Sequence, residues 1–154
     1  MPVQQPSHCL RRAFVFTLFM SALTGFAQMP IFKRYYIADL PGLGWLAEFY
    51  VTYTLHYLSA IALIAIGSYL TTHYLLMGRK NTGIRFYGFL RVILLVLILA
   101  TGILLVFRNL PGYRFSPGFV VALDFSHLGL VVAFLVTTLA GRLMGRRWGA
   151  ETAN

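Results

Sequence analysis

The chain has 154 residues and a formal net charge of +9, and 58% of its residues are hydrophobic while only 11% are charged. Soluble domains usually carry about 25% charged residues, so this composition, with a mean hydropathy of +0.73, excludes an ordinary soluble domain and predicts an integral membrane protein. The positive charge does not indicate nucleic-acid binding, because the basic residues cluster at the ends of apolar segments, where membrane orientation places them.

Four apolar segments have the length of membrane-spanning helices, which need ~20 residues. We predict them at residues 13–29, 49–77, 86–107 and 118–144. Between the first two lies a predicted interfacial segment, residues 31–48, which contains Lys33, Arg34, Tyr35, Tyr36 and Trp45. We therefore expect residues 1–154 to form one all-α domain, a four-transmembrane-helix bundle. A cleavable signal peptide is the alternative for the first segment, because basic residues precede it and "TGFAQ" offers a cleavage site.

The distribution of Lys and Arg predicts the orientation of the bundle. One side carries eight of them: Arg11, Arg12, Arg79, Lys80, Arg85, Arg142, Arg146 and Arg147. The other carries four: Lys33, Arg34, Arg108 and Arg114. The positive-inside rule then places both termini in the cytoplasm, in a multi-pass protein of the inner membrane. Cys9 is the single cysteine, so no internal disulfide, Cys-ligated iron–sulfur cluster or Cys-rich zinc site is expected.

Two histidines lie at similar depth in two of the predicted spans. His56 is about seven residues from the outer end of the second span, and His127 about nine residues from the outer end of the fourth. At 1.5 Å per residue both imidazoles lie ~10–14 Å below the outer boundary. Ionisable groups inside a membrane are candidates for function, although either histidine alone can also be a packing residue bonded to backbone. Two at one depth can hold a metal between them.

A short repeat accompanies the two histidines. The first span contains Thr24-Gly25 in "SALTGF", and the third contains Thr101-Gly102 in "ILATGI". Each pair lies in the outer half of a helix, and the next helix carries a histidine. We therefore interpret the chain as two pseudo-repeated hairpins, in which the glycines leave flat space for a macrocycle.

The metal predicted between the histidines is a haem iron. Residues that share the face of His56 are small or apolar, among them Ala60, Leu63 and Gly67. Such neighbours suit the edge of a porphyrin. Zinc needs four ligands, whereas a low-spin haem needs two axial ligands and neutral imidazoles supply both.

With these features the sequence resembles the four-helix cytochrome b subunits of respiratory complexes, such as the gamma subunits of formate dehydrogenase-N and [NiFe] hydrogenase. The resemblance rests on "LTGF" in the first span and on one histidine in each of the second and fourth spans. It implies a bundle that passes electrons between the quinone pool and a partner subunit with iron–sulfur clusters or c haems. It also implies that His56 and His127 ligate the haem nearer the periplasm.

The chain departs from this family at the second, cytoplasmic haem. In the family that the sequence resembles, this second site needs a histidine early in the first span and another about four turns after the fourth-span ligand. Here those regions offer Arg11 or Arg12 and, around Gly141, no histidine. We therefore expect one haem b. A second haem ligated by His8 and His73 is the less favoured alternative. His73 is otherwise an interfacial histidine or a quinone contact.

Two charged residues within the spans have several interpretations. Asp124 shares a face with His127, so it can accept the second imidazole N–H or exchange a proton with a quinone. It can also lie close enough to the interface to be solvated or paired with Arg108 or Arg114. Arg91 either extends towards the interface or contacts a haem propionate or an acidic lipid.

We thus predict a membrane cytochrome b subunit, an electron-transfer component whose only candidate chemistry is quinone oxidation or reduction. Lipid, the quinone pool and a redox partner subunit are its expected partners, and nucleic acid is not. One alternative is a haem-free anchor that shapes a quinone pocket. The other is a small transporter or channel, which would need a polar path along the bundle.

Overall fold

The computed structural model describes residues 7–29, 39–78, 82–84, 86–145 and 149–151. Within these ranges, four helices are long and apolar enough to cross a membrane. They are α1 (His8–Ala27), α2 (Phe49–His73), α3 (Phe86–Arg108) and α4 (Pro117–Leu143). The prediction of an all-α protein with four spanning helices is confirmed, and the chain is a multi-pass membrane protein.

The chain divides into two compact units, Met1–Gly78 and Arg79–Asn154. In the first unit α1 packs against α2, and in the second α3 packs against α4. We call these pairs hairpin 1 and hairpin 2. The single domain over residues 1–154 stays a prediction. Many large apolar side chains on the helices are exposed, for example Phe19, Leu58, Val96 and Leu139. This exposure suits helices in lipid, because lipid tails are as apolar as these side chains.

The first helix begins five residues earlier than the sequence predicted. Ser7 caps it, since its side chain accepts a hydrogen bond of 3.3 Å from the backbone N–H of Leu10. Arg11 and Arg12 therefore lie within the helix and not before it. Helix α2 begins at the predicted residue and continues past His73 into a π-helical turn, Tyr74–Gly78.

The connection between α1 and α2 is described only from Asp39 onwards. It turns at Gly42, whose φ of +85° is in the left-handed region that favours glycine. A 3₁₀ turn, Gly44–Ala47, follows and buries Leu46. The basic and aromatic residues 33–36 of the predicted interfacial segment lie outside the described residues, as do Arg79, Lys80, Arg85, Arg146 and Arg147.

Hairpin 2 is closed by a short connection between α3 and α4. Gly112 turns the chain with a φ of +93°, and Ser116 then caps α4 by accepting a hydrogen bond from Phe119 N–H at 3.4 Å. Pro117 occupies the first turn, where its missing N–H costs no hydrogen bond. At the other end of this unit, two short strands, β1 (Thr82–Ile84) and β2 (Gly149–Glu151), pair antiparallel.

Candidate functional site

The imidazole of His56 lies against α1 inside hairpin 1. Its Nδ1 is 2.9 Å from the carbonyl oxygen of Ser21 and 3.3 Å from the hydroxyl of Thr24. Thr24 is fully buried, and its hydroxyl donates to the carbonyl of Met20 at 2.6 Å. The histidine is thus held by the helix that carries the first TG pair.

These contacts determine which nitrogen of His56 carries the proton. A carbonyl oxygen can only accept a hydrogen bond, so the short contact to Ser21 requires an N–H at Nδ1. The lone pair of the neutral ring is then on Nε2. This is the nitrogen through which an imidazole can bind a metal while Nδ1 donates to the protein.

Gly25 makes the closest approach to the ring of His56. A Cβ atom added at Gly25 would lie 3.1 Å from Cε1 and 3.4 Å from Nδ1 of the imidazole. Glycine therefore allows the imidazole to lie directly on the α1 backbone. The predicted flat space next to Gly25 is occupied, in this structure, by the edge of the histidine ring.

Hairpin 2 contains the same arrangement around His127. Its Nδ1 is 2.9 Å from the hydroxyl of Thr101, which also lies 2.9 Å from the carbonyl of Leu97 and 3.0 Å from that of Ile98. A Cβ atom added at Gly102 would lie 3.4 Å from Cε1 of the imidazole. Each TG pair thus meets the histidine of the following helix through the same ring atoms.

Helix α2 presents further polar side chains on the face of His56. Thr52, one turn earlier, is fully buried and donates to the carbonyls of Glu48 and Phe49 at 3.1 and 3.0 Å. Ser59 is also buried and bonds the carbonyl of Leu55 in the same way. These two hydroxyls bond to carbonyls of their own helix, whereas Nδ1 of His56 contacts α1.

Two of the predicted site residues lie away from both histidine contacts. Gly67 is on α2, and a Cβ atom added there would meet nothing within 4 Å. His73 closes the same helix, where its ring lies 6.2 Å from that of Tyr69, centroid to centroid. Seventeen residues of helix separate it from His56, which corresponds to ~25 Å. His8 is the exposed first residue of α1.

Asp124 forms an ion pair with Arg108. The guanidinium Nη1 lies 3.1 Å from both carboxylate oxygens, and the two side chains are 34% and 51% exposed. Among the interpretations of Asp124 given above, the ion pair with Arg108 is the one seen in the structure. This pair links the end of α3 to α4 one turn before His127.

Arg91 is buried in hairpin 2, at the end opposite this ion pair. Only 2% of the residue is exposed, and its guanidinium lies over the backbone of Gly141. A methyl group on Gly141 would overlap Nη2 and lie 3.0 Å from Cζ. The small residue at position 141 therefore makes room for the arginine.

Sequence reasoning missed two of these contacts. The carbonyl of Ser21 is the nearer acceptor for His56, and helical spacing could have found it, since Ser21 lies one turn before Thr24 and Gly25. The approach of Arg91 to Gly141 has no comparable sequence signal. Among the residues that the structure describes, no group of three or more His, Cys, Asp and Glu side chains is placed to hold a metal ion.

No protein family, curated protein or solved structure matches this chain. The resemblance to membrane cytochrome b subunits therefore stays a prediction from the quoted motifs.

Proposed function

We propose that the protein is a membrane cytochrome b subunit in which one haem b takes His56 and His127 as its axial ligands. The observation that carries this proposal is the repeated contact of a TG pair with the Nδ1 side of a histidine, once in each hairpin. A packing histidine needs no such repetition. Two imidazoles, one held against a TG pair in each hairpin, can supply the two nitrogen ligands of a bis-histidine haem.

The described residues fit a haem in their donor chemistry. His56 donates from Nδ1 to the carbonyl of Ser21, which leaves the Nε2 lone pair for the iron. Such a hydrogen bond also orients the ring and strengthens it as a ligand. Apolar side chains border the histidines along their helices, including Leu63 and Phe134, which are 4% and 2% exposed. They favour a flat hydrophobic cofactor over a hydrated metal ion.

One haem, and not two, is favoured by the arrangement at Gly141. In the family that the sequence resembles, the fourth helix carries a second ligand in this region. Here the position is a glycine covered by the guanidinium of Arg91. A buried cation at this place is a poor substitute for an imidazole ligand, since guanidinium stays protonated and has no lone pair to donate.

When bound, the haem would carry single electrons between the quinone pool and a partner subunit of a respiratory complex. The chain's own residues would hold the ligands in place and surround them with apolar side chains. An inner-membrane location, with iron–sulfur clusters or c haems in the partner, belongs to the same proposal. The four spanning helices and the charge asymmetry of the sequence support the membrane location. The partner's cofactors are supported by the resemblance alone.

The test is a dithionite-reduced minus oxidised visible spectrum of protein purified after expression with haem supplied. The parent should show a b-type α band and a pyridine haemochrome ratio near one haem per chain. His56→Ala and His127→Ala should each lose the band. His73→Ala is the matched control, because it removes an imidazole from the same helix as His56, and it should keep the band.

Two results would count against the proposal in different ways. A parent without a Soret band would refute the cytochrome function and favour the alternative function, a haem-free membrane anchor. A parent with haem whose His56→Ala and His127→Ala variants both retain a bis-histidine spectrum would refute the ligand assignment alone.

A further inference from the structure

The two histidines differ in what accepts their Nδ1 hydrogen bond. At His56 the nearer oxygen is the backbone carbonyl of Ser21 at 2.9 Å, and the Thr24 hydroxyl is more distant at 3.3 Å. At His127 the Thr101 hydroxyl itself lies at 2.9 Å. Substitution can remove a side-chain hydroxyl, but it leaves a main-chain carbonyl in place. The two contacts therefore respond differently to mutation.

The direction of the bond at His127 follows from the other contacts of Thr101. A hydroxyl has one proton to donate and two lone pairs with which to accept. The carbonyl oxygens of Leu97 and Ile98 lie 2.9 and 3.0 Å from Oγ1, and both can only accept. Threonine inside a helix commonly donates its proton to such carbonyls. The lone pairs of Oγ1 are then directed away from them and can accept from the ring.

We propose that Thr101 is a positioning residue for His127: its hydroxyl accepts the Nδ1 proton and thereby fixes the tautomer, the ring orientation and the electron-donating strength of this ligand. At His56 the carbonyl of Ser21 has the same role, and Thr24 is auxiliary. The redox consequence rests on the proposed function. The tautomer does not, because it is a property of the protein without cofactor.

The direction of the redox effect follows from the hydrogen bond. An imidazole that donates from Nδ1 is a more basic ligand, and it stabilises ferric iron over ferrous iron. Loss of the acceptor should therefore raise the midpoint potential. Removal of such an outer partner typically weakens metal affinity about 10–100-fold, and we expect Thr101→Val to weaken haem retention within that range.

The first measurement is ¹⁵N NMR of the cofactor-free full chain labelled at histidine, which has only four histidines. His127 should carry its proton on Nδ1 in the parent and lose this preference in Thr101→Val, while Thr101→Ser should restore it. Thr24→Val is the matched control, and His56 should keep its Nδ1 proton because the carbonyl of Ser21 remains. A parent in which His127 is protonated on Nε2 would overturn the proposal without any variant.

The second measurement is a redox titration of the haem-loaded variants. Thr101→Val should raise the potential more than Thr24→Val, and Thr101→Ser should lie close to the parent. Equal shifts for the two valine variants, or none for Thr101→Val, would refute the assigned role. If the parent binds no haem, the proposed function fails, and the NMR experiment still decides the tautomer.

Discussion

The backbone of Gly25 lies against the imidazole of His56, close enough that an added Cβ would be 3.1 Å from Cε1. At Gly102 the same distance to His127 is 3.4 Å, an ordinary van der Waals contact. The two hairpins thus share one arrangement but differ in how tightly it is packed. This difference predicts unequal effects of the same substitution.

Gly25→Ala should destabilise the protein, whereas Gly102→Ala should not. The added methyl in the first case must displace a packed ring, and overpacking usually costs about 1–3 kcal/mol. In the second it meets normal contact distance and gains the helix preference of alanine over glycine, about 0.5–1 kcal/mol. The measurement is the free energy of unfolding in mixed detergent micelles. Gly67→Ala is the control, since nothing lies within 4 Å of the added atom. A greater loss in Gly102→Ala would contradict the packing described here.

Much of this arrangement was predictable from the sequence, because it depends on helix length and period. The four apolar segments predicted the helices to within one or two residues at most ends, and the TG repeat predicted two similar hairpins. The repeat was expected to leave flat space beside Gly25, where the structure has the edge of the His56 ring. The start of α1 is not evident from the sequence, because Arg11 and Arg12 resemble charges that flank a span, while the cap depends on the hydrogen bond that Ser7 accepts from Leu10 N–H.

Other features of the site depend on side-chain directions that a pattern does not contain. Gly67 shares the period of His56 but lies eleven residues away, where α1 places no atom within 4 Å of it. The sequence left Asp124 open to support of His127, quinone chemistry, or pairing with Arg108 or Arg114, and the structure pairs it with Arg108 across the hairpin. The acceptor at Ser21 is a main-chain atom, so residue type does not specify it, and only its place one turn before Thr24 could have indicated it.

Gly141→Ala should destabilise hairpin 2 more than Gly129→Ala, a substitution on the same helix. The methyl group would overlap the guanidinium of Arg91, which is only 2% exposed. Relief requires a buried charged side chain to move, so we expect a loss of about 1–3 kcal/mol, as for other overpacked sites. Gly129→Ala, on the same helix with nothing within 4 Å, should be neutral or slightly stabilising. Equal unfolding free energies for the two variants would contradict this prediction, because they would show that the Arg91 side chain can move aside with no loss of stability.

Asp124 and Arg108 should be only weakly coupled energetically. Their side chains are 51% and 34% exposed, and exposed ion pairs usually contribute about 0.2–1 kcal/mol. A double-mutant cycle with Asp124→Asn, Arg108→Gln and the double variant measures the coupling from unfolding free energies. Asp124→Asn should also leave haem content unchanged, because Nδ1 of His127 contacts Thr101. Loss of haem in this variant, with Arg108→Gln unaffected, would instead assign Asp124 to the support of His127.

The predicted orientation can be tested with the cysteine that the chain already has. Cys9 is exposed in the first turn of α1, and the excess of Lys and Arg on its side predicts that it faces the cytoplasm. A membrane-impermeant maleimide added to intact cells should therefore leave Cys9 unlabelled and react with it only after permeabilisation. Moving the thiol to the connection between α3 and α4, by combining Cys9→Ser with Arg114→Cys, should reverse the pattern, since exposed Arg114 lies on the predicted outer side. Labelling of Cys9 in intact cells, with protection of the cysteine at position 114, would invert the topology. The two histidines, and the haem proposed for them, would then lie nearer the cytoplasm than the periplasm.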